Sequence, residues 1–341
     1  MKTLYLVTGA AGYLGGEVCR QIVSRGLQGR ALVLPGDKTA KYIPKEIEQY
    51  EGNLCDVASL ERFFQVEPGV ETIVLHCASM VALGNERREL VMKVNVQGTQ
   101  NIIDQCFAHP ECKKLVYVGS TGSLPELPHG QKMKEPKQFE PDESLGVYGQ
   151  SKAMASQKVL DAAQNGLNAC IVMPSGILGP GDAACGPVTS GLLVQMRGEA
   201  SVGLKGTFNL CDVRDLADGI FLAVEKGKAG EAYILANEVV SYPEFAKLTA
   251  QEGHCKKPLF YLPTSVANLA ADILEKQAKK TGTKPALTRY EIYNLARNNE
   301  YDSSKARREL GYTSRSYRET IHEEVEWLKQ SNMICEQGAF K

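Results

Sequence analysis

Tyr148 and Lys152 lie four residues apart in a segment of good helix formers, Tyr148-Gly149-Gln150-Ser151-Lys152, so their side chains share one helical face. A phenol titrates near pH ~10 and transfers protons poorly at neutrality. An ammonium one turn away stabilises the phenolate and brings that pKa down by roughly 1–3 units. The spacing therefore predicts a group that gives a proton to an oxygen, or takes one from it. Tyr-x-x-x-Lys is common by chance, and its weight comes from what accompanies it. Upstream, the apolar run Lys114-Leu115-Val116-Tyr117-Val118 ends in Gly119-Ser120-Thr121-Gly122-Ser123. Either Ser120 or Thr121 could hydrogen-bond a substrate oxygen and hold it beside the phenol.

A second constellation opens the chain. Leu4-Tyr5-Leu6-Val7-Thr8 is a short run rich in β-formers; Gly9, Gly12 and Gly15 follow at regular spacing, and helix-compatible residues continue from Tyr13 to Arg25. This reads as strand, tight turn, helix. Glycine tolerates positive φ, and its missing Cβ lets backbone N–H groups approach a pyrophosphate at the positive end of the helix. The turn is a candidate dinucleotide site.

The elements that must position these groups alternate along the chain. Residues 29–34, 72–76, 114–118 and 169–173 read as strands, with helical stretches at 57–65, 90–107 and 147–164. Such alternation predicts an α/β fold, a Rossmann-type doubly wound parallel sheet whose ligands sit at the carboxyl ends of its strands. Residues 124–144, with four prolines and many charges, read as a loop. After Pro174 comes a Gly/Pro-rich segment and a short helix near 191–197. A helix at 215–225 and a strand at 233–235 return to the sheet, and 242–251, 266–280 and 318–330 read as helices of a smaller C-terminal mixed α/β lobe. The expected organisation is a dinucleotide-binding domain over residues 1–175, completed by about 210–238, a substrate-binding lobe over 176–209 and 239–330, and a frayed tail from 331 to 341.

With 341 residues, 43% of them hydrophobic and 23% charged, the chain can build a large core. A formal charge of −1 supplies no field for polyanions, so neither nucleic acid nor a membrane surface is an expected partner. The opening apolar run is too short for a signal peptide, and no segment approaches membrane-spanning length. Ten cysteines without a C-x-x-C pair fit reduced thiols in a cytoplasmic chain. No metal-ligand spacing appears, and His76-Cys77 reads as packing at a strand end.

Taken together, Thr8-Gly9-x-x-Gly12-x-x-Gly15, Ser120-Thr121, Tyr148-x-x-x-Lys152 and Pro174-Ser175-Gly176-Ile177-Leu178-Gly179-Pro180-Gly181-Asp182 resemble an extended short-chain dehydrogenase/reductase. The similar branch is the NAD-dependent epimerase/dehydratase superfamily near its dihydroflavonol reductase-like and 3β-hydroxysteroid dehydrogenase-like members. Asp212-Val213-Arg214-Asp215-Leu216-Ala217-Asp218 and the stretch Tyr301 to Tyr312 resemble that branch as well. The resemblance implies that Gly9, Gly12 and Gly15, with the backbone of Tyr13 and Leu14, hold the pyrophosphate. It implies that Asn53 and Leu54 meet adenine, that Ala78 and Ser79 flank the cofactor ribose, and that Asn95 stands at a recurrent helix position. Pro174, Gly176 and Ile177 would line the nicotinamide. Tyr148 would be the proton donor or acceptor, and Lys152 would tune it and bind the nicotinamide ribose. Reductase-like members place the third catalytic group at Ser120, epimerase-like members at Thr121. The cofactor is NADP or NAD, with NADP slightly favoured; Leu34 stands where a carboxylate or an arginine would decide, and Asp37 and Lys38 pull in opposite directions. Met173 and Ser156 depart from the usual Arg and Glu. A homodimer through surface helices is also implied.

These residues support an oxidoreductase that moves hydride between a nicotinamide and a ketone, aldehyde or secondary alcohol, with the cofactor supplying the chemistry and the protein the positioning. The low charge of Met80-Val81-Ala82-Leu83 and Gly186-Pro187-Val188-Thr189 suggests a small carbonyl, flavonoid-like or steroid-like substrate. A nucleotide-sugar epimerase or dehydratase would use the same machinery but needs cations for a diphosphate, for which Arg197 and Lys205 are the candidates. A non-catalytic dinucleotide sensor on this fold would have no need of Tyr148 and Lys152.

Overall fold

The computed structural model describes residues 2–81, 88–144, 146–281 and 289–331. Ala82 and Leu83 of the proposed substrate segment, and the tail from 332 onward, lie outside the described residues. The first six strands are β1 (Lys2–Thr8), β2 (Gln28–Val33), β3 (Glu48–Glu51), β4 (Val70–His76), β5 (Cys112–Val118) and β6 (Ala169–Pro174). Between them run α1 (Tyr13–Ser24), α2 (Val57–Phe64), α3 (Arg88–Met92), α4 (Gly98–Ala108) and α5 (Gly146–Gln164). The chain continues through β7 (Gly176–Leu178), α6 (Pro187–Met196), β8 (Val202–Leu204), β9 (Thr207–Asp212), α7 (Val213–Lys226) and β10 (Ala232–Leu235). The last elements are β11 (Val239–Ser241), α8 (Tyr242–Gly253), β12 (Phe260–Leu262), α9 (Thr264–Thr281), α10 (Arg289–Ala296), α11 (Ser304–Glu309) and α12 (Tyr317–Gln330).

Seven strands form one parallel sheet in the order β10-β6-β5-β4-β1-β2-β3, the doubly wound α/β arrangement expected from the alternation. The carboxyl-terminal halves of its inner strands are continuous apolar runs because both faces are covered there, whereas the edge strand β3 is polar at three of its four positions. Leu6, Val74, Leu115, Tyr117 and Ile171 point to one core, shared with α2, α4 and α5. Val7, Leu75, Val116, Val118 and Val172 point to the other, shared with α1 and α7. The order reverses between β1 and β4, and the crevice at that reversal is where open α/β sheets take ligands.

The predicted helix over 90–107 is interrupted: Lys93–Gln97 forms a π-helical turn between α3 and α4. Apolar periodicity cannot register such a turn, which widens a helix without changing its polarity. At Pro174 the chain leaves the main sheet, and β7 joins a second sheet of order β11-β9-β7. Strands β7, β8, β11 and β12 have three residues each, too short to show alternation in sequence. Leu178, Leu193, Leu210, Phe245, Ile321 and Val325 make a separate core between that second sheet and α6, α8 and α12.

The C-terminal segment is clamped to the head of α7. Asp215 accepts from the Arg315 backbone N–H at 2.6 Å and from its guanidinium at 2.8 and 2.9 Å, and Asp212 takes Arg214 through two guanidinium nitrogens at 2.6 and 2.8 Å. Among the described residues no helix is long and apolar enough to cross a membrane. Removing one partner of such a largely buried pair leaves a charge uncompensated. Asp215→Ala is expected to lower unfolding stability by about 2–3 kcal/mol; an unchanged urea midpoint would show that the clamp is ornamental.

Candidate active site

The residues picked out in the sequence converge on the carboxyl edge of the sheet. Gly9 to Gly15 form the β1–α1 turn, and Asn53 and Leu54 follow β3. Ala78 and Ser79 follow β4, Ser120 and Thr121 follow β5, and Pro174 to Ile177 bridge β6 and β7. Lys152 and Tyr148 reach this edge from α5.

The turn is built from backbone. Gly9 has φ +71°, and a Cβ on Gly15 would lie 2.1 Å from the Gly9 carbonyl oxygen, so α1 can approach β1 this closely only with glycine there. Gly12 caps the 12-residue helix without a side chain, leaving the first-turn N–H groups uncovered by any cap. Beside the turn a shallow cleft opens between Gly12 and Gly16, Thr39 and Tyr42, and Gly181, with Arg20 on its wall. Tyr13 donates its hydroxyl to the Gly179 carbonyl. Burial first, then the carboxyls of Glu324, Asp182 and Asp212, raise the Tyr13 phenol well above its ordinary range, which keeps it a neutral donor.

A chain of hydrogen bonds runs from the end of β1 to α5. The Ala78 N–H donates to Thr8 Oγ1 (3.3 Å), Thr8 to His76 Nδ1 (2.6 Å), His76 Nε2–H to Thr99 Oγ1 (3.0 Å) and Thr99 to the Asn95 carbonyl (2.6 Å). This direction uses each hydrogen once and assigns the Nε2 tautomer to a neutral His76. Burial, and then Lys152, hold the His76 pKa down to about 3. Asn95, on the π-helical turn, donates to the Met80 carbonyl (3.0 Å) and Ser151 Oγ (2.9 Å) and accepts from the Met80 N–H (2.7 Å). Its amide therefore fixes the strand-end loop and α5. Ser151 in turn donates to the Tyr148 carbonyl at 2.8 Å. The sequence reading did not foresee these links: His76, Thr99 and Ser151 carry no spacing signature.

After β5, Ser120 Oγ accepts the Gly122 N–H at 3.0 Å and is partly accessible, whereas Thr121 is buried. A methyl group on Gly122 would lie 3.3 Å from Ser120 Oγ and 3.8 Å from Tyr148 Cε1, so the hydroxyl and the ring flank one small space. The half-buried Tyr148 is held there because α5 runs hard against the 120–123 turn: a Cβ on Gly149 would meet the Gly122 carbonyl oxygen at 2.7 Å. One turn further, Lys152 is 1% exposed; its Nζ donates to the Val118 carbonyl at 2.6 Å and lies 4.6 Å from the centre of the Tyr117 ring. Burial lowers its pKa to about 7. Tyr117 also feels Tyr148, which, after burial, raises its phenol further. The second-strand region is equally defined: Leu34 is exposed, and Asp37 accepts from Thr39 N–H (2.9 Å) and Oγ1 (2.6 Å).

The profile of the NAD dependent epimerase/dehydratase family matches residues 5–236. The chain belongs to this family. It is 29% identical over 338 residues to a dihydroflavonol 4-reductase-like protein of Synechocystis sp., covering 98% of this chain and 97% of that one. It is 28% identical over 321 residues to the sterol-4-alpha-carboxylate 3-dehydrogenase (decarboxylating) of Schizosaccharomyces pombe, covering 90% and 92%. The solved structure of gox2253 superposes with a TM-score of 0.82 at 30% identity, covering 96% and 98%. This epimerase/dehydratase-family member is an NAD(P)-dependent oxidoreductase, and its side-chain-free turn at a helix N-terminus fits the pyrophosphate of such a cofactor.

Two outcomes follow from this packing. Gly149→Ala is expected to displace α5 from the 120–123 turn and lower kcat while leaving dinucleotide Kd near the parent value, measured by steady-state kinetics and fluorescence titration. The buried amine bears on stability with a defined sign. Between about 7 and the ordinary lysine value of 10.5 the unfolded chain binds more protons than the folded one, so this group's contribution rises with pH across that window. Lys152→Met is therefore expected to be more stable than the parent at neutral pH, by on the order of 1 kcal/mol after loss of the Val118 hydrogen bond, with the gain fading as pH approaches 10.5. Equal melting curves at both ends of that range would count against it.

Proposed function

We propose that the protein is a dehydrogenase/reductase acting at a secondary alcohol or ketone on an apolar, ring-based substrate of the steroid or flavonoid kind, with Tyr148 as the general acid/base. The observation that carries this reading is the shared space over Gly122, flanked by the Tyr148 ring and the Ser120 hydroxyl, above a buried Lys152. The names of the sterol-4-alpha-carboxylate 3-dehydrogenase and dihydroflavonol 4-reductase relatives support this substrate class.

When bound, the nicotinamide supplies or accepts the hydride. The turn from Gly9 to Gly15 holds the pyrophosphate by backbone N–H groups, and Ala78, Ser79, Pro174, Gly176 and Ile177 confine the rest of the cofactor. Ser120 accepts from Gly122, so its own hydrogen is available to the substrate oxygen; Thr121, buried, serves the turn instead. The Tyr148 hydroxyl delivers a proton to that oxygen in reduction and removes it in oxidation. Lys152 contributes its charge, stabilising the phenolate that remains. NADP is the preferred form: Asp37 is committed to Thr39, Leu34 offers no carboxylate, and Lys38 and Lys41 are exposed close by, the latter 4.9 Å over the ring of Tyr42 at the cleft.

Purified protein mixed with NADPH or NADH and a panel of steroid ketones, flavonoids, small carbonyls and nucleotide sugars tests the substrate class. Tyr148→Phe is expected to cut kcat by roughly 10²–10⁴-fold on the best ketone with little change in dinucleotide affinity. Full turnover by that variant, or sugar interconversion without net cofactor change, removes this reading. Lys38→Ala/Lys41→Ala is expected to raise KM for NADPH and leave KM for NADH in place.

A further inference from the structure

We propose that α9 and the strand before it form a docking surface for an anionic lipid bilayer. The helix is inside out. Its fully buried side chains are small, Ala267 and Ala271 packing on Ile292, with Leu274 partly buried, while three of its larger aliphatic ones face solvent: Val266 is 50%, Leu269 68% and Ile273 63% exposed. A helix of a folded domain normally turns its largest apolar groups to the core. The adjoining strand continues the pattern. Leu259 is 84% and Phe260 53% exposed, and Phe260 is in register with Val202, itself 42% exposed. Large apolar side chains exposed in such number over one short stretch of chain mark an interaction site.

Charge selects the occupant. Residues 256–284 hold six lysines and two acidic residues, in a chain whose net charge is −1. Lys256 and Lys257 are exposed just ahead of Leu259, and Lys276 is exposed one turn beyond Ile273. One of the two acids, Asp272, is held by the Arg289 guanidinium. A near-zero whole-chain charge conceals this local excess. Apolar side chains that enter the acyl boundary, rimmed by lysines that reach the headgroups, are the composition of an interfacial helix. A second copy of the chain would bring the same lysines face to face, which disfavours self-pairing through this surface. The surface also neighbours the active-site loop: Tyr293 of α10, which packs on α9, donates to Glu126 at 2.5 Å, on the segment leaving the 120–123 turn. The proposal does not depend on the substrate reading.

The test is co-sedimentation of the full chain with vesicles of phosphatidylcholine containing phosphatidylserine, and with pure phosphatidylcholine. The parent is expected to pellet with the mixed vesicles and to be released by high salt. Leu269→Glu/Ile273→Glu should bind roughly tenfold less, with an unchanged melting curve and dinucleotide affinity because both side chains are exposed. Lys256→Glu/Lys257→Glu, outside the helix, should lose the preference for the anionic vesicles. Failure to pellet with either vesicle, or pelleting that both variants retain in full, overturns the proposal. So does a concentration-dependent dimer in sedimentation velocity that Leu269→Glu/Ile273→Glu abolishes, since the surface would then belong to a second copy.

Discussion

The arrangement turns on an ammonium group held in an apolar place. Lys152 is sealed beneath the carboxyl edge of the sheet, where burial works against its charge, and it is kept there by a strand carbonyl and the face of Tyr117. A lysine on the surface would be screened by water and free to wander, whereas this one has a fixed position. Burial supplies field strength and fixed position at a cost in stability, a trade often found where chemistry is done.

Several otherwise unremarkable features keep that lysine and its tyrosine in place. The π-helical turn carries Asn95, whose amide ties the Met80 loop to Ser151. Gly149 lets α5 come against the 120–123 turn, and the neutral His76 links Thr8, at the cofactor end, to Thr99 and so to Asn95. These hydrogen bonds join the end of β1, the π-helical turn and α5 into one framework. A change at either end is transmitted through buried groups that cannot be satisfied elsewhere.

The part of the chain around the second sheet follows another logic. Its cores are modest, its strands are short, and the clamp from Arg315 to Asp215 fastens its final helix to the larger unit. Within it, α9 spends small residues on packing and shows large ones to solvent, the reverse of α1 or α7, whose apolar residues line the second core. Where one helix departs from the rule its neighbours obey, the departure points to surroundings other than water.

Strand and helix order, the glycine turn, the Tyr148–Lys152 pair and the hydroxyls after β5 were all legible in the sequence, because each rests on local rules: period, glycine conformation, and the reach of side chains one turn apart. The sequence left open whether Ser120 or Thr121 faces the site, since their burial is set by α5 folding over the turn. It gave no sign of the π-helical turn, the three-residue strands or the His76 relay, whose partners are far apart along the chain. Nor did it show that Leu259, Leu269 and Ile273 are exposed, because that depends on which segments pack beside them. The chain by itself thus determined the longer strands and helices, their order, and which residues meet at the carboxyl edge of the sheet. Only the tertiary structure decided what is buried, because burial depends on contacts between segments that local sequence does not encode.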